Sequence, residues 1–128
     1  MKVNYSIENN GLKYLSCILF SAMKRSLRAY KPVLSEPVQL NDFLKKDVSG
    51  TRGIAHCHPT ERFPITGMER SGHYTLLVGP EGDFTDEEVS RALDAGYTQF
   101  HLGDTRMRTE TAGVHLCSAI KILESTKQ

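Results

Sequence analysis

Residues 73–104 read HYTLLVGPEGDFTDEEVSRALDAGYTQFHLGD, and this stretch decides the fold. His73–Gly79 is a short apolar run that ends on glycine, the pattern of a buried strand. Thr85-Asp-Glu-Glu88 has the form of a capping box, in which the Thr85 hydroxyl accepts a backbone N–H and Glu88 reaches back to the cap residue. Val89, Ala92, Leu93 and Ala95 recur on the inner face of the helix that follows, and Gly96 ends it. Tyr97–Leu102 is a second strand, with Gly103-Asp104 as its turn. Strand, helix and strand in this order make a βαβ unit, which requires parallel strands and a right-handed crossover. The class is therefore α/β, a parallel sheet flanked by helices, and ligands of such sheets bind beyond the carboxyl ends of the strands.

Working outward, Thr109 or Thr111 starts a last helix whose Ala112, Leu116, Ala119, Ile120 and Leu123 share one stripe. Upstream, Thr51–Cys57 is a strand, and His58–Gly72 is a loop punctuated by Pro59, Pro64, Gly67 and Gly72. Gln39–Lys46 is a short helix, and residues 33–38 form a connector. A first helix runs from Leu12 to Ala29 and stops before Pro32. Its Leu15, Ile18, Leu19, Ala22 and Met23 follow helical spacing and belong to the core or to a subunit interface. The apolar run Leu12–Met23 is shorter than the ~20 residues a membrane span needs, and Glu8 and Lys13 argue against a signal peptide, so no membrane segment is expected.

The chain has 128 residues, enough for one domain, taken as residues 1–128. With 39% hydrophobic and 24% charged residues, disordered and collagen-like classes drop out. The net charge of +1 carries no nucleic-acid signature as a sum. The two halves differ, however: residues 1–64 hold 10 basic and 5 acidic side chains, residues 65–128 hold 6 basic and 10 acidic. Such an asymmetry can mark a basic contact face. Cys17, Cys57 and Cys117 are odd in number and form no CxxC pair, so reduced thiols and a cytoplasmic location are expected.

Two loops leave strand ends with chemistry-bearing residues. In Gly79-Pro80-Glu81-Gly82-Asp83 the glycines let backbone approach a ligand and Pro80 stiffens the turn. The segment lacks GxGxxG and GxxxxGK[ST]. Glu81, Asp83, Asp86, Glu87 and Glu88 crowd the helix N-terminus, where they satisfy the dipole and repel phosphate. A nucleotide bound here should carry no phosphate, and S-adenosylmethionine is such a ligand. An ordinary, well-capped βα turn is the plainer alternative. The second loop, Gly103–Thr111, holds Arg106, Arg108 and Glu110. A plain helix start, with threonine caps, Glu110 in the first turn and the arginines on the surface, is one reading. Arginines ahead of a helix N-terminus gain nothing from its dipole, which weakens that reading and leaves a contact from Arg108 to a nucleobase or phosphate as the other.

Leu77-Val-Gly-Pro-Glu-Gly82 with Phe84 and Glu88, followed by Leu102-Gly103 and Arg108-Thr-Glu-Thr-Ala112, resembles the bacterial 16S ribosomal RNA uridine-N3 methyltransferase family of the SPOUT superfamily. Weaker likeness reaches Ser26-Leu-Arg28 before Pro32-Val-Leu, and Ile54-Ala-His56. The resemblance implies a SPOUT fold with a C-terminal trefoil knot, a homodimer, and an S-adenosylmethionine pocket. Val78, Gly79, Pro80, Glu81 and Gly82 would line one wall of that pocket, and Leu102, Gly103, Met107 and Arg108 the other. The substrate implied is 16S rRNA within the small ribosomal subunit. This chain has Asp83 where the family usually has glycine, Thr105-Arg106-Met107 where it has Arg-Ile-Leu, and Arg25 where a glutamine is common. The N-terminal PUA-like RNA-binding domain of the family does not fit within 128 residues.

Methylation at N3 requires loss of the N3 proton, so charge spreading onto the uracil oxygens must be stabilised. Arg108 is the sequence's candidate for that task, with Glu110 orienting it or acting as a base. Lys24, Arg25, Arg28 and Lys31 cluster at the end of the first helix, where cations suit the dipole. Arg25 and Arg28 are also candidates for RNA phosphates. His56 and His58 fall on one side of an extended chain, yet the four-ligand spacing of a structural zinc site is missing, so no metal is expected and both belong near the cofactor pocket. A cofactor- or RNA-binding domain without turnover, and a metal-dependent hydrolase using the two histidines, are the competing readings.

Overall fold

The computed structural model describes residues 2–4 and 9–126. The chain divides into two compact units, one ending at Phe43 and one beginning at Leu44. In the first, β1 (Lys2–Asn4) pairs in parallel with β2 (Val33–Ser35), and α1 (Asn9–Arg25) connects them. Residues 33–35, expected within a connector, are thus a strand. Three residues ahead of Pro37 are too few to display an alternation, and their partners lie 31 residues upstream.

Helix α1 ends four residues before the expected Ala29. Its stop is a Schellman turn rather than Pro32: Arg28 N–H bonds the Met23 carbonyl (3.1 Å), and Leu27 N–H bonds that of Lys24 (3.2 Å). Leu27 takes the left-handed conformation this turn requires, with φ of 52°. Ser26 Oγ donates to the Ala22 carbonyl at 2.8 Å, so the side chain competes for the last turn. Leu15, Leu19 and Met23 are half-buried, whereas Ile18 and Ala22 are exposed. Helix α2 (Leu40–Leu44) falls within the expected short helix.

The second unit is built on a four-stranded parallel sheet with β3 (Thr51–Ala55) and β6 (Thr98–His101) at its centre. The edges are β5 (Tyr74–Val78), beside β3, and β4 (Phe63–Pro64), beside β6. Strand β4 and a 3₁₀ turn at Ile65–Gly67 lie inside the segment expected to be loop throughout. Pro64 sits at the sheet edge, where a missing N–H is tolerated. The register pairs Ala55 with both Val78 and Phe100, so three strands end level with one another.

Helix α3 (Asp86–Asp94) carries the expected capping box, with Glu88 N–H donating to Thr85 Oγ1 (3.2 Å) and Thr85 N–H to Glu88 Oε2 (2.8 Å). Gly96, at φ of 84°, closes its far end. The α3 carbonyl of Ala95 receives Arg52 Nη1 at 3.0 Å, a cation placed where the helix dipole favours one. Helix α4 (Thr109–Ser125) starts at Thr109 and lays Leu116 against Phe100 and Ile65. Gly53 is fixed by this packing, because a Cβ there would sit 2.7 Å from the Phe100 ring. Among the described residues no helix is long and apolar enough to cross a membrane.

Candidate active site

The level strand ends open into a cavity. One wall is Val78-Gly79-Pro80-Glu81, leaving β5, and the other is Leu102, Gly103 and Met107, between β6 and α4. Seven residues expected from sequence therefore meet around one space. Gly82 is exposed and does not line it, and neither do Arg108 and Glu110, which are exposed at the start of α4. Arg108 is nevertheless flanked by Met107 and Thr109, both of which do.

The two walls are tied together. Thr109 Oγ1 donates to the Gly79 carbonyl at 2.8 Å, joining the first residue of α4 to the end of β5. Gly79 is buried, and a Cβ there would lie 3.1 Å from Asp83 Oδ1 and 3.3 Å from the Phe84 ring. Asp83 itself has φ of 63°, a conformation that aspartate tolerates better than most residues. Its carboxylate holds the turn from both sides, Oδ2 accepting from Cys57 N–H (2.7 Å) and Oδ1 from Phe84 N–H (2.8 Å). The loop after β5 is thereby fastened to the loop after β3.

His56, only 4% exposed, lines the cavity. Its Nδ1 accepts from His58 N–H (3.2 Å), which leaves Nε2 to donate to Gln99 Oε1 (2.8 Å). Thr60 Oγ1 donates to the same oxygen at 3.1 Å. Burial, above all, pulls the His56 pKa below its ordinary 6.5, the Gln99 hydrogen bond opposes this, and the nearby His58 and Arg62 charges reinforce it. His58 stands 5.2 Å from it, ring centre to ring centre, on the side the alternation indicated. Its Nε2 meets the Phe84 carbonyl (2.6 Å) and its Nδ1 the Asp86 carboxylate (2.8 Å), so it braces the start of α3. Among the described residues no group of three or more His, Cys, Asp or Glu is placed to hold a metal.

Arg62 escaped the sequence reading. It lines the cavity and donates through Nη1 to the His56 carbonyl, and its Nε is buried without a hydrogen-bond partner. Nothing in its neighbourhood of prolines and polar residues signals this, because its position depends on β4 pairing with β6. A second, more polar recess adjoins the first and shares Cys57, Arg62, His101, Gly103, Thr105 and Arg106 with it, adding Thr60 and Asp104.

The first cavity suits a phosphate-free nucleoside. Ala55, Val78, Phe100, Leu102, Met107 and Ala112 supply apolar contact. Glu81 and Asp83 bring negative charge toward a cationic ligand.

The family model for the RNA methyltransferase domain matches residues 2–121. The chain belongs to this family. Among family relatives, the ribosomal RNA small subunit methyltransferase E of Mycobacterium bovis is 31% identical over 122 residues, covering 91% of this chain and 47% of that protein. The protein of the same name from Rickettsia conorii is 27% identical, over 90% of this chain and 48% of the relative. The chain thus spans about half the length of the curated relatives it matches. The crystal structure of a probable rRNA-methyltransferase from Porphyromonas gingivalis superposes with a TM-score of 0.84 at 32% identity, covering 98% of this chain and 55% of that one. A ribosomal RNA small subunit methyltransferase E from Neisseria gonorrhoeae, solved bound to S-adenosyl methionine, gives 0.76 at 26% identity, with 97% and 53% coverage.

Proposed function

We infer that this chain is the methyl-transfer part of an S-adenosylmethionine-dependent enzyme that modifies N3 of a uridine in 16S rRNA of the small ribosomal subunit. The observation that carries this reading is the cavity at the level strand ends, walled by Val78–Glu81 and Leu102–Met107. Family membership and the S-adenosyl methionine bound to the Neisseria gonorrhoeae relative support it.

Bound there, the cofactor supplies an electrophilic methyl group on a positively charged sulfur. The chain's residues do the rest. Val78, Leu102 and Met107 enclose the nucleoside and keep water from it, and Glu81 and Asp83 favour the cationic centre. The Thr109 bond to Gly79 holds the two walls at a fixed separation, which orients the ligand. Arg108, exposed beside the cavity wall, takes an RNA phosphate, and Glu110 favours the N-terminal end of α4. Arg25 and Arg28, exposed at the end of α1, take further phosphates. The assembly is a cytoplasmic homodimer, and the link from β6 to α4 is part of a trefoil knot.

Calorimetry with S-adenosylmethionine and its demethylated product tests the cofactor, and methylation of small subunits from a strain lacking the modification tests the reaction. Binding of both ligands and appearance of N3-methyluridine are expected. A folded chain that binds neither ligand would refute the assignment. Binding without transfer would leave a cofactor-binding domain.

A further inference from the structure

The geometry points to Arg62 as the group that stabilises negative charge on the target base, a task the sequence gives to Arg108. This rests on the methyl-transfer reading above. Arg62 belongs to both recesses, the apolar one suited to the cofactor and the polar one beside it, so it stands where the two reactants meet. It is held in place, since Nη1 donates to the carbonyl of His56, itself buried and fixed by Gln99. It also has a donor to spare. Arg62 Nε and the Tyr97 hydroxyl are the buried side-chain polar atoms without a partner among the described residues, and of these two residues Arg62 alone lines the recesses. A buried, unsatisfied N–H on a charged group is costly, and its retention beside the recesses calls for a role beyond folding. Arg108, by contrast, lines neither recess.

The chemistry asks for such a donor. Uracil N3 gives its proton to solvent water, and the resulting charge spreads onto the flanking carbonyl oxygens. The N3 electron pair then forms the new N–CH3 bond as the S–CH3 bond breaks. That bond's electrons stay on sulfur, which becomes a neutral thioether. A fixed guanidinium at one carbonyl oxygen lowers the energy of the deprotonated base without reorganising as charge develops. Arg106, exposed at the edge of the polar recess, is placed for the phosphate of the same nucleotide.

The test compares wild type, Arg62→Gln and Arg62→Lys on small-subunit RNA made with uridine or with 5-fluorouridine, whose N3 proton is more acidic. With uridine, Arg62→Gln should lose about 100-fold or more in rate, the scale of removing one preorganised donor, and Arg62→Lys should recover part of it. With 5-fluorouridine the loss should shrink by at least tenfold, because the base then needs less help to ionise. A fluorine NMR titration of the fluorinated RNA, bound with the demethylated cofactor, gives a readout free of turnover. Wild type should lower the N3 pKa of the bound base, and Arg62→Gln should not. Equal losses on both RNAs together with an unchanged titration, as a merely structural role would produce, overturn the inference alone. No transfer by wild type to either RNA overturns the methyl-transfer reading and this inference with it.

Discussion

At the scale of single residues, the site depends on groups whose roles emerge only when distant strands are paired. Asp83 is an example. In sequence it is a departure from a glycine, and in the structure it supplies both the left-handed backbone and two hydrogen bonds that glycine lacks. His56 is another, since burial and the Arg62 charge hold its pKa down. Below pH 6.5 the unfolded chain takes up a proton at this position that the folded chain refuses, so the unfolded state binds more protons and stability falls with pH. The stabilisation is complete above pH 6.5 and declines as the pH drops from there toward the lowered folded-state value. Urea denaturation at pH 7.5, 6.5 and 5.5 should show this decline in wild type. In His56→Gln, where amide replaces imidazole, the decline should be shallower. Parallel pH profiles for the two proteins would contradict the assignment.

Among the elements, those set by a local rule acting alone are the ones legible in the sequence. The capping box at Thr85 and the stop at Gly96 follow from a few adjacent residues, whereas the start of α4, open between Thr109 and Thr111 in the sequence, falls at Thr109 with no side-chain cap. Legibility is weakest where the partner is remote, as for β2 and β4, which are three and two residues long and exist through pairing with strands elsewhere in the chain. The end of α1 shows a third situation. A leucine occupies a position that favours glycine, and no sequence rule places a turn on it. Leu27 is 93% exposed, so its side chain contributes little packing against the cost of its backbone. Leu27→Gly should therefore stabilise the α1 terminus by about 0.5–1 kcal/mol, the left-handed penalty less glycine's extra entropy. Hydrogen exchange at the Leu27 and Arg28 amides should slow severalfold, and faster exchange would show that the leucine stabilises the turn.

Over the whole molecule, charge is unevenly distributed. Six of the ten carboxylates of the second half lie between Glu81 and Asp94, around the start and length of α3, and the basic residues of the first half include the exposed cluster at the end of α1. A net charge of +1 conceals this unevenness. If Arg25 and Arg28 meet RNA phosphates, replacing both by Gln should reduce the slope of log affinity against log salt by about 1.4–1.8, near 0.7–0.9 for each contact. Filter binding to small-subunit RNA across salt concentrations measures it, and an unchanged slope would remove these arginines from the interface. The α/β class and seven cavity residues were legible because the two loops carry their own glycines and their own helix starts. Arg62 and Asp83 were not, because their significance is set by what the fold brings beside them.

The bond from Thr109 to Gly79 also has a consequence in time. A ribosome releases the Gly79 carbonyl thirty residues before it releases the hydroxyl that satisfies it. The sheet's central strands are complete by His101, but the ligand cavity is not closed until α4 begins. During synthesis the protein should thus complete its sheet before α4 supplies Leu116 to the core and Thr109 to the cavity, and a nascent chain stalled ahead of Thr109 should be blind to its ligand.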